Sequence, residues 1–329
     1  MADKTQKFLA QPDFPPVLIA GEKRKENGED SYFCALSGKG GIVGVFDGSG
    51  GSGARTYPEF DGKTGAFVAS RSAAEAAMEW FEAWNKKADS KAPEIQGLQN
   101  AIDSMLQRVK GNVSSGSRLR SSMTKEFPTT LACTVILPDE SDDDKLKADF
   151  IWCGDSRCYL LDADGLHQVS VDDLSVKDAF QNLSEDAPLR NVVSASHPYT
   201  LNQRKIRIRK PCLLFCATDG CFGYLKSPMD FERLMLETLC SAGCVSEWTD
   251  RLSESFSSVA GDDFTLCLLS FGFGSFEKMQ GTFAGRLKRL LKDAPGEGKE
   301  DGGTLAWWNS YRAGYEKYWP AGKDISASE

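Results

Sequence analysis

The residues best suited to chemistry in this chain are carboxylates placed at the ends of apolar runs. Asp47 closes "GIVGVFD" (41–47) and is followed by the loose stretch "GSGGSGA". Asp219 closes "CLLFCATD" and precedes Gly220, Asp262 opens "DDFTLCLLSF", and the pair Glu29 and Asp30 opens "DSYFCALS". Taken singly, an Asp-Gly step reads as a turn and a strand-end Asp as a cap. Taken together, acids brought to one sheet end would repel one another and hold their protons. A hard divalent cation such as Mg²⁺ or Mn²⁺ would offset that repulsion, since it prefers carboxylate, carbonyl and water oxygens. Gly48, with no Cβ, could then turn its carbonyl to the same ion. Two such ions about 3.5–4 Å apart, bridged by one Asp, would activate a water and polarise a phosphoryl oxygen.

The elements that must position these acids follow from hydrophobic periodicity. Strands are expected at 30–37 and 41–47, joined by the glycine turn "GKGG", then at 129–137, 148–154, 157–164, 212–220 and 262–271. "RKIRIRK" alternates charge with Ile as an exposed strand would. Helices are expected over 64–87, 94–110 and within 229–258, where apolar residues such as Phe67, Ala74, Met78 and Phe81 recur at three- and four-residue spacing. Residues 1–20 are weakly patterned, and 172–200 is a polar, Pro-containing excursion or flap. Strands, two helices, strands, helix, strand is not βαβ alternation. It predicts an α+β fold: a β-sandwich of two antiparallel sheets flanked by helices, an α-β-β-α sandwich.

Composition narrows the functions. With 329 residues, 41% of them hydrophobic, the chain can build one large domain with appendages or two small ones. A net charge of -8 provides no basic field, which argues against nucleic acid as a partner. No stretch approaches the roughly 18–20 apolar residues of a membrane span, and the N-terminus has no secretory apolar region, so the protein is read as cytoplasmic. The ten Cys, with no C-x-x-C pair, read as buried reduced thiols. The chain has only two His, so His-based metal sites and Ser-His-Asp chemistry have little to work with. Carboxylates remain the chemistry-bearing groups.

Six ordered segments make a resemblance specific. "ENGEDSYF", "VGVFDGSGG", "TTLACTVIL", "WCGDSRCYLL", "LFCATDGCFGYL" and "GDDFTLCLL" resemble, in order, the signature motifs of the protein phosphatase 2C family of metal-dependent Ser/Thr phosphatases, and Ser49 in place of the His after Asp-Gly resembles a bacterial-type member. The resemblance covers about 18–272. It implies two Mn²⁺ or Mg²⁺ ions at one end of the sandwich and a weaker third, hydrolysis of phosphomonoesters by a metal-activated water, and a phosphorylated protein substrate that opposes a Ser/Thr kinase in signalling. Carried onto this chain, it implies that Asp47 bridges both ions, Gly48 lends its carbonyl, Asp219 and Asp262 hold one ion, and Glu29 and Asp30 act mostly through water. Asp155 matches the third-ion position, and equally reads as a β-turn Asp between two strands. The family's phosphate-binding Arg falls on Lys25, with Arg24 beside it as a substitute. The same "EKRK" also reads as a solvated surface run. Two further departures are Ser49, where many members carry a general-acid His, and Asp263, where the family has Asn. These departures keep a second class open, a pseudophosphatase that binds or scaffolds without turnover.

The domain plan is therefore an N-terminal extension (1–17), a catalytic domain (18–272) and a helical tail (273–329) with a linker at 294–303. The tail predicts an amphipathic helix over 276–292 and an aromatic stripe, Trp308, Tyr311, Tyr315 and Tyr318. That stripe suits packing on its own domain or docking to a partner protein.

Overall fold

The structure is a computed structural model that describes residues 11–87, 92–113, 125–175, 178–181, 188–295 and 300–320. Twelve strands are named β1 (Val17–Gly21), β2 (Ser31–Ser37), β3 (Gly40–Phe46), β4 (Thr56–Tyr57), β5 (Lys63–Thr64), β6 (Leu131–Pro138), β7 (Lys145–Cys153), β8 (Arg157–Asp162), β9 (Gly165–Gln168), β10 (Asn202–Arg209), β11 (Cys212–Ala217) and β12 (Phe264–Phe271). The helices are α1 (Gly50–Gly53), α2 (Gly65–Lys86), α3 (Ile95–Gly111), α4 (Pro228–Ser241), α5 (Val245–Val259), α6 (Phe276–Asp293) and α7 (Glu300–Tyr315).

Two five-stranded antiparallel sheets face each other, in the orders β1-β12-β11-β8-β9 and β10-β7-β6-β3-β2. Short apolar residues fill the space between them, among them Val43, Val45, Ala132, Leu160, Leu214 and Leu269, all at most 1% exposed. Strands buried on both faces need no alternation, which is why β11 and β12 read as continuous apolar runs. The sheets are covered outside by helices: α2 and α3 on the β6-containing sheet, and α4, α5, α6 and α7 on the other. This is the α-β-β-α sandwich expected from the sequence.

Local signals explain the helix starts. The Thr64 side chain accepts from the Phe67 amide at 3.1 Å and begins α2. Its alanines, Ala66, Ala69, Ala73, Ala76 and Ala77, are nearly or fully buried and let the helix lie close on the sheet. Ser227 caps α4, with Pro228 at its first turn.

Four features differ from the expectations. The weakly patterned start contains β1, which pairs with β12 from Val17↔Leu268 to Gly21↔Phe264. A small hairpin, β4 with β5, follows the glycine-rich loop. α7 begins at Glu300, inside the stretch 294–303 expected to be a linker. The described part of the 172–200 excursion is packed rather than free: Val192, Val193, Ala195 and Tyr199 are buried, Tyr199 Oη donates to Asp103 Oδ1 at 2.7 Å, and Gln107 Nε2 donates to the Ala195 carbonyl at 2.9 Å. Residues 176–177 and 182–187 of that excursion lie outside the described residues.

Candidate active site

Antiparallel order brings the acids to one rim. Asp30 precedes β2 and Asp47 follows β3, Asp155 follows β7, Asp219 follows β11, and Asp262 precedes β12. Each sits where its strand leaves the same end of the sandwich. Asp30, Asp47, Asp155 and Asp219 are half-buried, whereas Asp262 is exposed. The crowding is visible in their protonation. Burial first, then Asp219, Asp30, Asp155 and Asp262, push the Asp47 carboxyl well above the usual carboxylate range. Burial and the neighbouring acids likewise push Asp30 up to about 7, Asp155 to about 8 and Asp219 to about 6. Glu29 is raised by burial, partly offset by a hydrogen bond from Thr64 and by attraction to Arg24.

Each acid is held by a neighbour. Thr218 Oγ1 donates to Asp30 Oδ2 at 2.7 Å, and the Thr64 hydroxyl donates to Glu29 Oε1. The Asp47 main chain is fixed on both sides: its carbonyl accepts from the Thr130 amide at 2.7 Å and Thr129 Oγ1 at 2.8 Å, and its amide donates to Thr130 Oγ1 at 3.2 Å. Gly48 is required by close approach, since a Cβ there would stand 2.7 Å from the Ala66 carbonyl oxygen and 2.8 Å from that of Glu29. Gly154, at φ +99, bends the chain into Asp155. Its amide donates to Asp173 Oδ2 at 3.0 Å, and Asp173 is gripped in turn by Asn191 and Asn202.

A cleft of about 620 Å³ opens beside this rim, and its lining includes the acids Glu29, Asp262 and Asp263 and the bases Lys23, Arg24 and Lys63. Gly62 and Thr56 of the loop after the Asp47 motif also border it. Arg24 is the member of the "EKRK" run that faces the acids, together with Lys23. Lys25 is exposed and does not line the cleft. The Ser49 hydroxyl, at the position of the absent His, has no hydrogen-bond partner among the described residues.

The roles of three residues at the site were not foreseen, Asp263 having been noted only as a departure from the family's Asn. Asp263 is a clamp: its two oxygens accept from the Lys23 amide at 2.7 Å and the Glu29 amide at 2.6 Å, tying β12 to the start of β2. Arg157 and Asp172 form a buried pair, with Arg157 Nη2 2.7 Å from Asp172 Oδ2 and Nε 3.0 Å from Oδ1. The Arg157 guanidinium lies 4.0 Å from the centroid of Phe222, in the turn after Asp219, and attracts the Asp219 and Asp155 charges. The tail reaches this pair from behind. Tyr315 Oη bonds Tyr159 Oη at 3.4 Å, Trp319 Nε1 donates to the Gln168 carbonyl at 2.9 Å, and Gln168 Nε2 donates to Asp172 Oδ1 at 2.9 Å.

The acids are all hard oxygen donors, and Asp155 Oδ1 is buried with no hydrogen-bond partner among the described residues. In chemistry the set fits Mg²⁺ or Mn²⁺. Among the described residues, however, no three Asp, Glu, His or Cys side chains are already grouped as a metal cage.

A two-sheet sandwich with helices outside is the fold shared with solved bacterial serine/threonine phosphatases. The chain is 17% identical to PstP/Ppp of Mycobacterium tuberculosis, with a TM-score of 0.53 over 78% of this chain and 98% of that one. It is 16% identical to Stp1 of Staphylococcus aureus, with a TM-score of 0.54 over 78% of this chain and 94% of that one. It is 16% identical to MsPP of Mycobacterium smegmatis, solved with cacodylate, with a TM-score of 0.52 over 79% of this chain and 99% of that one. At these identities the likeness shows the fold. No curated protein matches the sequence. The family assignment comes from residues 21–255, which match the protein phosphatase 2C family: the chain belongs to it. It is thereby of the protein phosphatase class of hydrolases. No helix among the described residues is long and apolar enough to cross a membrane.

Proposed function

We propose that this chain is a Mn²⁺- or Mg²⁺-dependent serine/threonine phosphatase acting on phosphorylated proteins and opposing a Ser/Thr kinase. Asp47, Gly48, Asp219, Asp262, Glu29 and Asp30 are the proposed holders of two ions, and Asp155 of a weaker third. The observation that carries this reading is the convergence of Asp30, Asp47, Asp155 and Asp219 at one rim of the sandwich, where burial and neighbouring acids hold their carboxyls above the ordinary range. Bound ions would supply an activated water and charge stabilisation for the phosphoryl group.

The chain's own residues do the rest. Arg24, with Lys23 and Lys63 beside it, draws a phosphate dianion to the cleft. Thr218 and Thr64 orient Asp30 and Glu29, and Asp263 holds the Glu29 backbone in place. With Ser49 in place of His, the leaving Ser or Thr oxygen takes its proton from solvent, because a hydroxyl is a poor acid at neutral pH. Residues 18–272 are proposed as the catalytic unit, and 273–329 as a helical layer on one of its sheets.

The test is hydrolysis of a phosphomonoester and of phosphopeptides across metals, wild type against Asp219→Asn. The reading requires metal-dependent turnover that the substitution abolishes. A second reading, a binding or scaffolding pseudophosphatase, is favoured by the lack of a grouped metal cage among the described residues. It holds if wild type and variant are equally inert.

A further inference from the structure

Four thiols lie between the sheets at one level. Cys158, Cys216 and Cys267 are direct cross-strand neighbours on β8, β11 and β12, and all three are buried. The sulfurs of Cys158 and Cys216 are 3.9 Å apart. Cys34, on β2 of the opposite sheet, packs against the same inter-sheet cluster. Cys267 Sγ donates to the carbonyl of Phe33, next to Cys34, at 3.7 Å, which sets the Cys267 side chain beside Cys34 across the two sheets. β2 and β12 are close neighbours across the two sheets, and closing a bridge between them would draw their backbones toward the roughly 5.5–6 Å that a disulfide prefers.

Of the four, only Cys34 is not buried. Tyr32 and Leu36, two residues to either side and so on the same strand face, are 42% and 46% exposed. β2 is the edge strand of its sheet, so Cys34 sits at the rim of the inter-sheet layer, half-buried.

We propose that Cys34 and Cys267 are a peroxide-oxidisable dithiol that closes to a disulfide between the two sheets. The Cys34 thiolate attacks a hydroperoxide oxygen; an S–O bond forms, the O–O bond breaks and hydroxide leaves. The Cys267 sulfur then attacks Cys34 sulfur; the S–S bond forms, the S–O bond breaks, and the hydroxyl departs with the Cys267 proton as water. Two thiols are oxidised, and one hydrogen peroxide is reduced to two waters. The hydrogen bond from Cys267 lowers the Cys34 thiol below its ordinary range, against the pull of burial, which favours the attacking thiolate. Cys34 lies four residues beyond Asp30 and Cys267 four beyond Asp263, so the bridge ties together the two strands that carry those acids. The inference stands apart from the phosphatase reading.

The test treats the folded full-length chain with hydrogen peroxide, alkylates it with iodoacetamide in denaturant and maps peptides without reduction. The expected result is joint loss of alkylation at Cys34 and Cys267, a linked peptide joining them, and restoration by dithiothreitol. Cys34→Ser, at the half-buried end, should leave Cys267 fully alkylated; Cys267→Ser should leave Cys34 as a sulfenic acid trapped by dimedone. Full alkylation of Cys34 after peroxide, or oxidation confined to Cys240 and Cys244 at the α4–α5 junction, overturns the proposal. Unchanged circular dichroism before oxidation shows that each variant tested is folded.

Discussion

The carboxylate of Asp172 receives the Arg157 guanidinium in a fork, and the two side chains are only 3% and 2% exposed. Breaking one half of such a pair leaves a buried charge alone, which costs about 3–5 kcal/mol. Arg157→Leu and Asp172→Leu should therefore each lose stability of that order in urea unfolding, and the double variant less than the two together. A strictly additive double variant would show that the pair is not coupled.

Relief of repulsion gives a different sign. Asp219→Asn removes one charge from the crowd around Asp47. Its metal-free melting temperature should rise above that of wild type, while the stabilisation added by Mn²⁺ should shrink. Thermal scans with and without Mn²⁺ read both at once, and a lower metal-free midpoint would contradict the repulsion argument.

Proton linkage predicts how the metal-free chain responds to pH. Asp30, Asp155 and Asp219 titrate at about 7, 8 and 6 in the folded state, against about 3.9 unfolded. The folded state thus binds more protons between those values. The stability these groups contribute is complete below about pH 4 and is lost as the pH rises through 6 to 8. Melting temperatures should fall from pH 5 to pH 8 without metal. Saturating Mn²⁺ should flatten or reverse that slope, because it binds the ionised carboxylates.

Arg24 and Lys25 separate the cleft from the surface. Arg24 lines the cleft and Lys25 does not. Arg24→Ala should raise KM for a phosphopeptide about tenfold, a loss of about 1.4 kcal/mol, and Lys25→Ala should leave it within about twofold, as an exposed cation does. Steady-state kinetics on both variants decide between the two positions.

Asp263→Ala strips the acceptor from the Lys23 and Glu29 amides. Unsatisfied amides cost about 1–3 kcal/mol, so stability should fall by that order, and Mn²⁺ affinity should fall with it as Glu29 loosens. Calorimetric titration with Mn²⁺ measures the second effect directly.

The sandwich was legible because its central strands are continuous apolar runs with an Asp at the rim, and α2 and α3 because their apolar residues keep helical spacing. β1 was not legible: five residues with a single alternation, Val17 and Ile19 inward, give too short a pattern. The acids of the rim were readable one by one, from strand ends. What they rest on was not. Asp263 bonds an amide 234 residues away, and Asp172 meets Arg157 from beyond the β8–β9 hairpin, 15 residues on. Neither contact leaves a local periodicity. The neighbouring "EKRK" basics could not be ranked from sequence, since all are exposed and only the folded chain shows that Lys23 and Arg24 line the cleft while Lys25 does not.

The contacts of the last helix also bear on how the protein should be produced. Tyr159, 0% exposed, is covered by Tyr315, and Trp319 holds the carbonyl of Gln168. A polypeptide stopped at residue 272 would bare that aromatic surface to water and release the strand edge next to Asp172. A recombinant phosphatase that is to remain monodisperse should therefore extend through Trp319, with any affinity tag attached beyond it.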